Sequence, residues 1–130
     1  MARVRYIVND VEESVAFYTA ILGFEIRQNF APAIAILTHG DLTLLVSGPK
    51  ASASKPMLDG TVPSPGGGLN RILLDYDDLN SVVSKLKSKR VKFRNDILDR
   101  VGGKQVICED PSGNVIELTQ PVNVQGKRPS

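Results

Sequence analysis

The sequence predicts an α+β fold built from two βαβββ modules, and three observations predict it. The same order of a strand, an aspartate, an amphipathic helix and further strands occurs near residues 3–47 and again near 70–121. The helix starts Asp10-Val11 and Asp78-Leu79 are 68 positions apart, and the glycines that lead the last strands, Gly40 and Gly113, are 73 apart. A repeat this long, with two copies only, is typical of paired modules rather than a solenoid. It predicts a ligand site in a cleft between the modules.

The first module begins with alternating residues 3–8, which predict a strand. Apolar residues then recur at 11, 15, 18 and 22 and mark one face of a helix. Asp10 is placed to cap that helix, with Glu13 three residues later, and Gly23 to end it. Strands follow at about 24–29, 33–38 and 42–47, with residues 39–41 as a hairpin turn.

In the second module the sequence predicts a strand at 70–76, a helix at about 78–89 and strands at about 91–95, 104–109 and 114–120. The apolar helix positions 79, 82, 83 and 86 are expected to face inward, and residues 110–113 form the turn before the last strand. The segment 48–69, rich in Pro, Gly and Ser, is a loop that is long for a compact domain. The tail after Pro121 is expected to fray. We expect one domain over residues 1–130.

Composition limits the classes of function. The net charge of +2 is too mild to indicate a nucleic-acid partner. No apolar run approaches the roughly 20 residues that a membrane span needs. The N-terminus enters a strand directly and shows no secretory pattern, so a cytoplasmic location is expected. The single cysteine, Cys108, cannot form an internal disulfide and is expected to be buried in a strand.

Two segments carry a resemblance to a known family. The first is residues 8–18 with the following Ile21-Leu22-Gly23-Phe24-Glu25, and the second runs from Glu109-Asp110-Pro111-Ser112-Gly113 to Leu118. Together they resemble the vicinal oxygen chelate superfamily of glyoxalases, extradiol dioxygenases, fosfomycin-resistance enzymes and bleomycin-resistance proteins. The resemblance covers about residues 3–121. It implies two βαβββ modules in a curved mixed sheet, helices on the convex face, a ligand or metal on the concave face, and chains that pair as homodimers.

The resemblance also implies four metal-ligand positions, two in the first strands and two in the last strands of the modules. Here these positions hold Arg3, Arg71, Leu44 and Glu117. Only Glu117 can ligate a divalent metal, because arginine has no lone pair to donate and leucine has no ligating atom. The only histidine, His39, is assigned to a surface turn. We therefore expect no metal and no other cofactor.

Alternation along the strands predicts which side chains line the cleft. Glu117 is expected to pair with Arg3 or Arg71 in a structural salt bridge, since a partly buried carboxylate needs a partner. The surplus guanidinium charge matches an anionic ligand, and the two interpretations are compatible. Lys104 is a further polar candidate. The predicted ligand-binding set is Arg3, Arg5, Arg71, Asp75, Asn95, Gln105 and Glu117.

The function predicted is that of a metal-free, small-molecule-binding protein. One alternative is a metal-dependent lyase, isomerase or dioxygenase of the same superfamily, with Glu117 as its catalytic carboxylate. Another is a resistance protein that sequesters an antibiotic, although a pI near 8.8 matches a cationic drug poorly. The sequence names no ligand and shows no nucleophile–histidine–carboxylate arrangement.

Overall fold

The computed structural model describes residues 2–66 and 70–122. The chain forms two compact units. The first unit comprises Met1–Gly68 together with Asp110–Asn114, and the second comprises Leu69–Glu109 together with Val115–Ser130. Each unit holds one α-helix and one four-stranded mixed sheet, which confirms the two βαβββ modules of an α+β fold. The single domain stays a prediction, and residues 123–130 of the expected frayed tail lie outside the described residues.

The first unit contains five regular elements: β1 (Val4–Ile7), α1 (Val11–Ala20), β2 (Glu25–Phe30), β3 (Ile34–His39) and β4 (Leu42–Ser47). The strand order is β1-β4-β3-β2, with β1 parallel to β4 and the other neighbours antiparallel. A short 3₁₀ turn at Ser52–Ser54 follows within the predicted loop.

Helix α1 begins where the sequence predicts and ends at Ala20, so Leu22 of the predicted face lies in the turn that follows. Asp10 has extended backbone and accepts a 3.1 Å hydrogen bond from the N–H of Glu13, which satisfies one of the free donors of the first turn. The helix ends before Gly23, whose φ of +78° favours glycine. The predicted apolar face is confirmed, since its four members are all buried: Val11, Val15, Tyr18 and Leu22.

The second unit contains β5 (Ile72–Asp75), α2 (Leu79–Ser88), β6 (Leu98–Arg100), β7 (Gly103–Glu109) and β8 (Val115–Pro121). The strand order is β5-β8-β7-β6, and only β5 and β8 are parallel. Asp78 caps α2 by accepting a 3.2 Å hydrogen bond from the N–H of Ser81. Of the four apolar positions expected to face inward, three are fully buried: Leu79, Val83 and Leu86.

The predicted strand at 91–95 is wrong, and β6 was not predicted. Phe93 forms one isolated bridge with Cys108, and the regular edge strand starts only at Leu98. Between them the chain leaves the sheet at Asn95, whose side-chain Oδ1 accepts a 2.9 Å hydrogen bond from the N–H of Ile107. A side chain therefore takes the place of a backbone acceptor, which interrupts the ladder along this edge.

Each sheet has a helix-side face and an open face. The helix-side rows are buried, and Cys108 lies among them as predicted; in the second unit they are Ile72, Leu74, Val106, Cys108, Ile116 and Leu118. The open face of the second sheet carries the alternate residues Leu73, Asp75, Gln105, Ile107, Glu109, Glu117 and Thr119. The open face of the first sheet carries Arg5, Ile7, Ile36, Thr38, Thr43 and Leu45.

Candidate functional site

The open face of the second sheet is centred on an ion pair. The Nε of Arg71 donates a 3.0 Å hydrogen bond to Oε1 of Glu117, so Arg71 is the one of the two predicted partners, Arg3 and Arg71, that pairs with Glu117. The two side chains differ in exposure, at 32% for Arg71 and 10% for Glu117. The carboxylate is thus nearly enclosed while the guanidinium reaches solvent. A charge so placed is stable only with its partner, because an unpaired buried carboxylate is costly.

Two further predicted residues lie beside this pair. Asp75 and Thr119 are cross-strand neighbours, and the hydroxyl of Thr119 donates to the carboxylate of Asp75. Gln105 lies opposite Thr119 on the next strand. The structure therefore brings Arg71, Asp75 and Glu117 onto one face, as alternation along the first and last strands predicts, and Gln105 lies on the same face.

A second ion pair on the same face was not predicted. The Nε of Arg94 donates a 2.8 Å hydrogen bond to Oε2 of Glu109, and Lys92 Nζ lies 3.9 Å from the same oxygen. Glu109 is two residues beyond Ile107, the cross-strand partner of Glu117. The two carboxylates are therefore diagonal neighbours on adjacent strands. The sequence could have indicated Glu109, because Gln105 and Glu109 are four residues apart on one strand and so lie on the same face of the sheet.

Two predicted polar residues do not belong to this face. Asn95 lies at the sheet edge, where its side chain is used as an acceptor for the Ile107 amide. Lys104 alternates with Val106 and Cys108 and so lies on the helix-side face, where its charge lowers the pKa of Asp78 after the larger effect of the Ser81 hydrogen bonds. Lys104 and Gln105 are consecutive residues of β7, so their side chains lie on opposite faces of the sheet. A share of Asn95 in ligand binding stays a prediction.

The register of β4 corrects one predicted position. Leu44 lies opposite Val4 and is fully buried on the helix side, whereas Leu45 lies opposite Arg5. In the second unit Glu117 lies opposite Leu73. Leu45, not Leu44, is thus the counterpart of Glu117, and the offset is 72 rather than 73. A one-residue slip moves a side chain to the other face of a sheet, so the alignment by the glycines misplaced this position.

The residues at the four implied ligand positions do not fit a divalent metal. They are Arg3, Leu45, Arg71 and Glu117, and the one carboxylate among them already accepts a hydrogen bond from Arg71. Two cationic side chains in the set oppose a metal cation. Within residues 2–66 and 70–122, no group of three or more His, Cys, Asp or Glu side chains is arranged to hold a metal ion. Arg3 and Arg5 lie in the first unit, and their share in a site with Arg71 stays a prediction.

The first unit contains a polar recess of about 590 Å³ at the β3–β4 turn. We call it the hairpin recess. Its lining combines two carboxylates, a guanidinium, an imidazole and two hydroxyls with two glycines: Gly23, Glu25, Arg27, Thr38, His39, Gly40, Asp41 and Thr43. Sequence reasoning missed this site. Thr43 is two residues from Leu45 on β4, so alternation would have placed its hydroxyl on the open face. Nothing in the sequence indicated that residues of β2 line the recess.

His39 differs from its predicted place in a surface turn. It is the last residue of β3, half-buried, and its ring lies against that of Phe24 with the ring centroids 5.0 Å apart. The turn itself consists of Gly40, whose φ is +57°, and Asp41. The imidazole is therefore held on one side by a buried aromatic ring while it lines the hairpin recess.

Comparison with known proteins decides the family. The model of the Glyoxalase/Bleomycin resistance protein/Dioxygenase superfamily matches residues 1–118. The chain belongs to this superfamily. Mitochondrial methylmalonyl-CoA epimerase of Bos taurus is 27% identical over 87% of this chain and 69% of its own length.

Two solved structures of the glyoxalase fold show the same architecture. The lactoylglutathione lyase of Agrobacterium tumefaciens superimposes with a TM-score of 0.71 at 18% identity and covers 92% of both chains. TnmS3, an antibiotic binding protein from Streptomyces sp. CB03234, gives 0.67 at 22% identity and covers 94% of this chain and 98% of its own. At these identities the likeness shows the fold and not the ligand.

The turn motif that carried the resemblance has a structural role in this superfamily member. Asp110 is 4% exposed and accepts hydrogen bonds from the backbone N–H groups of Ser112 and Asn114, both 2.9 Å, and from the hydroxyl of Tyr18 at 2.8 Å. Asn114 donates 2.8 Å to the carbonyl of Ile7 and accepts from Gly66. Residues 110–114 of the motif therefore complete the first unit, whereas Glu109 and Glu117 on either side of them lie on the open face of the second sheet.

Proposed function

We propose that this chain is a small-molecule-binding protein that recognises an anionic group of its ligand, without a metal, on the open face of the second sheet. The observation that carries the proposal is the Arg71–Glu117 pair, at positions where the superfamily resemblance implies metal ligands. The family membership supports a small-molecule ligand, and the donor chemistry of this face supports an anion.

Arg71 is suited to bind a carboxylate or phosphate. A guanidinium has five N–H donors, and the bond to Glu117 uses Nε, so further donors on the solvent-exposed end remain for a ligand. Glu117 holds the arginine in one orientation, which reduces the entropy lost on binding. The neighbouring Leu73 is 56% exposed and offers an apolar surface to the body of the ligand.

The charges of this face favour an anion by a small margin. Among the described residues, four cationic side chains lie on or at the edge of the open face against three carboxylates, which leaves one positive charge in excess: Arg71, Lys92, Arg94 and Arg100 against Asp75, Glu109 and Glu117. All three carboxylates already have a hydrogen-bond or ion-pair partner. The hydrogen-bonding groups left unused on this face are therefore mainly donors, which an anionic acceptor can use.

Two other functions remain as competing hypotheses. The relationship to an epimerase supports an enzyme with Glu117 as a base, but Arg71 would first have to leave that carboxylate. The fold shared with an antibiotic binding protein supports drug sequestration. Both hypotheses make different predictions for the ligands that stabilise the protein.

A thermal-shift panel tests the proposal with small carboxylates, inorganic phosphate and cationic drugs. An anion at about 100 times its Kd is expected to stabilise the wild type by about 2.7 kcal/mol. The Arg71→Leu/Glu117→Gln variant, which removes the pair without stranding a charge, is expected to lose this stabilisation. Arg100→Leu lowers the net charge of the same face but leaves Arg71 and Glu117 in place, so it separates the effect of net charge from that of the pair and is expected to weaken anion binding only slightly. Equal stabilisation in the double variant, or stabilisation by cationic drugs alone, contradicts the proposal.

A further inference from the structure

The hairpin recess is formed around a row of polar side chains that crosses three strands. Glu25 on β2 lies opposite Thr38 on β3, and Thr38 lies opposite Thr43 on β4. Directly paired residues have their Cβ atoms about 5 Å apart on the same face. The row therefore presents a carboxylate and two hydroxyls close enough together for one small ligand to contact neighbouring members.

An irregularity in β2 adds a cation to this row. The pairing with β3 steps from Ile26–Leu37 to Gln28–Ile36, so Arg27 is the extra residue of a β-bulge. A bulge re-aims the side chain of the inserted residue, and Arg27 contributes to the lining of the recess. Asp41 and His39 close the same recess from the turn. The recess thus contains strong donors and strong acceptors side by side.

These polar groups are not used within the unit. Across residues 2–66 and 70–122, no hydrogen bond or ion pair joins the side chains of Glu25, Arg27, Thr38, Asp41 or Thr43 to another described residue. The open face of the second sheet is different, because each of its carboxylates is already partnered. Within the recess, donors and acceptors remain for an external group.

We propose that the hairpin recess is a binding site for a hydroxyl-rich group, such as the vicinal diol of a polyol or sugar. A diol donates two hydrogen bonds to one carboxylate and accepts from a guanidinium, so it uses the donors and acceptors of the recess together. An ammonium ion leaves the donors of Arg27 unused, and an anion faces the carboxylates of Glu25 and Asp41. The volume of about 590 Å³ lies within the range of small-molecule sites.

This site is independent of the proposed anion site. It lies wholly in the first unit and involves neither Arg71 nor Glu117. A chain that fails to bind anions can still bind a polyol in the recess, and the reverse also holds. The two proposals therefore fail separately.

Backbone amide NMR titration of the full chain tests the site with inositol as a neutral polyol, ethylamine as an ammonium and acetate as an anion. Inositol is expected to shift the amides of Gly40, Thr38 and Thr43 along one saturable curve. The Thr38→Val/Thr43→Val variant keeps side-chain shape and strand propensity but removes two hydroxyls, and its Kd for inositol is expected to rise about tenfold or more. Thr61→Val, in the exposed loop outside the recess, is the matched control and should bind as the wild type does.

Three outcomes overturn the proposal. The first is the absence of saturable inositol shifts while the variant and wild-type spectra show a folded chain. The second is an unchanged Kd in the double valine variant. The third is saturation at these amides by ethylamine or acetate and not by inositol, which assigns the recess to a charged group.

Discussion

The hydroxyl of Tyr18 donates a 2.8 Å hydrogen bond to Oδ2 of Asp110, which lies 92 positions further along the chain. Both side chains are buried, at 0% and 4% exposure. Asp110 also accepts from Ser112 and Asn114, so Tyr18 supplies one member of a closed set of donors around a carboxylate that water hardly reaches. Hydrogen bonds to a buried charge contribute more than those between neutral groups.

The Tyr18→Phe variant should therefore be less stable by about 1.5 to 3 kcal/mol in urea unfolding, the usual contribution of a hydrogen bond to a charged group. Tyr76→Phe is the matched control. Its ring is partly buried, which raises the pKa of the phenol, as does the nearby Cys108 to a smaller extent. A loss in Tyr18→Phe no greater than in the control would mean that the bond to Asp110 contributes little.

Metal binding gives a second prediction. Because Arg3, Leu45 and Arg71 occupy three of the four implied ligand positions, titration calorimetry with zinc, nickel, manganese and iron is expected to show no stoichiometric uptake. Glu117→Ala serves as the reference for weak surface binding. Uptake of one equivalent in the wild type that disappears in Glu117→Ala would overturn the metal-free proposal and favour the enzyme hypothesis.

A third prediction concerns Gly103 at the start of β7. Its φ is +124°, and a Cβ there would overlap the carbonyl oxygen of Gln120 and lie 2.9 Å from the backbone nitrogen of Val122. Neither backbone atom can move without breaking the pairing with β8, so Gly103→Ala should lose about 2 kcal/mol or more of unfolding free energy. Gly102→Ala, where the added Cβ meets nothing within 4 Å, should change little. An equal loss of unfolding free energy in the two variants would show that the backbone relieves the clash, and it would contradict the prediction.

The pKa of Asp78 gives a pH-dependent prediction. Hydrogen bonds from the hydroxyl and then the backbone N–H of Ser81 hold this pKa below its ordinary value of 3.8. A lowered pKa stabilises the fold above the ordinary value, and that stability is lost as the pH falls through the lowered one. Asp78→Asn keeps a capping side chain without the charge. The wild type should exceed this variant in urea unfolding at about pH 6, and the gap should shrink as the pH falls below the ordinary value and through the lowered pKa of Asp78. A gap that is constant with pH would contradict the prediction.

The last prediction is a homodimer. Strand β2 is an edge strand whose six residues are all exposed, including Ile26 at 49% and Phe30 at 55%. Open edges of this kind favour pairing unless they are covered, and the superfamily resemblance implies paired chains. Sedimentation at micromolar concentration is expected to give twice the chain mass. A monomer under these conditions would count against pairing.

The sequence predicted best what depends on local chemistry. Asp10 and Asp78 cap their helices because a carboxylate satisfies first-turn amides wherever it occurs. Alternation and the cost of a lone buried carboxylate predicted an arginine partner for Glu117, either Arg3 or Arg71, and the structure pairs it with Arg71.

What the sequence did not reveal depends on pairing between strands. Leu44 was placed on the wrong face because the register of β4 with β1 cannot be derived from the sequence of either strand alone. Asn95 was assigned to a strand because the residues around it look like a strand. The hydrogen bond between its side chain and the Ile107 amide, which accompanies the break in the sheet edge, is a tertiary contact that the local sequence does not indicate. The β-bulge at Arg27 changes which side chains of β2 share a face, and it adds Arg27 to the lining of the hairpin recess. The residue spacing in the sequence did not indicate this bulge.

The turn that completes the first unit has a consequence for synthesis on the ribosome. Ile7, Tyr18 and Gly66 acquire hydrogen-bond partners from Asp110 and Asn114, which are translated long afterwards. Domains commonly fold in order of synthesis, from the N-terminus onward. Here the first unit lacks Asp110–Asn114 until residues 70–109 of the second unit have already been synthesised. The first unit therefore cannot be completed before residues 110–114 have been synthesised, and its final folding is expected to overlap with that of the second unit.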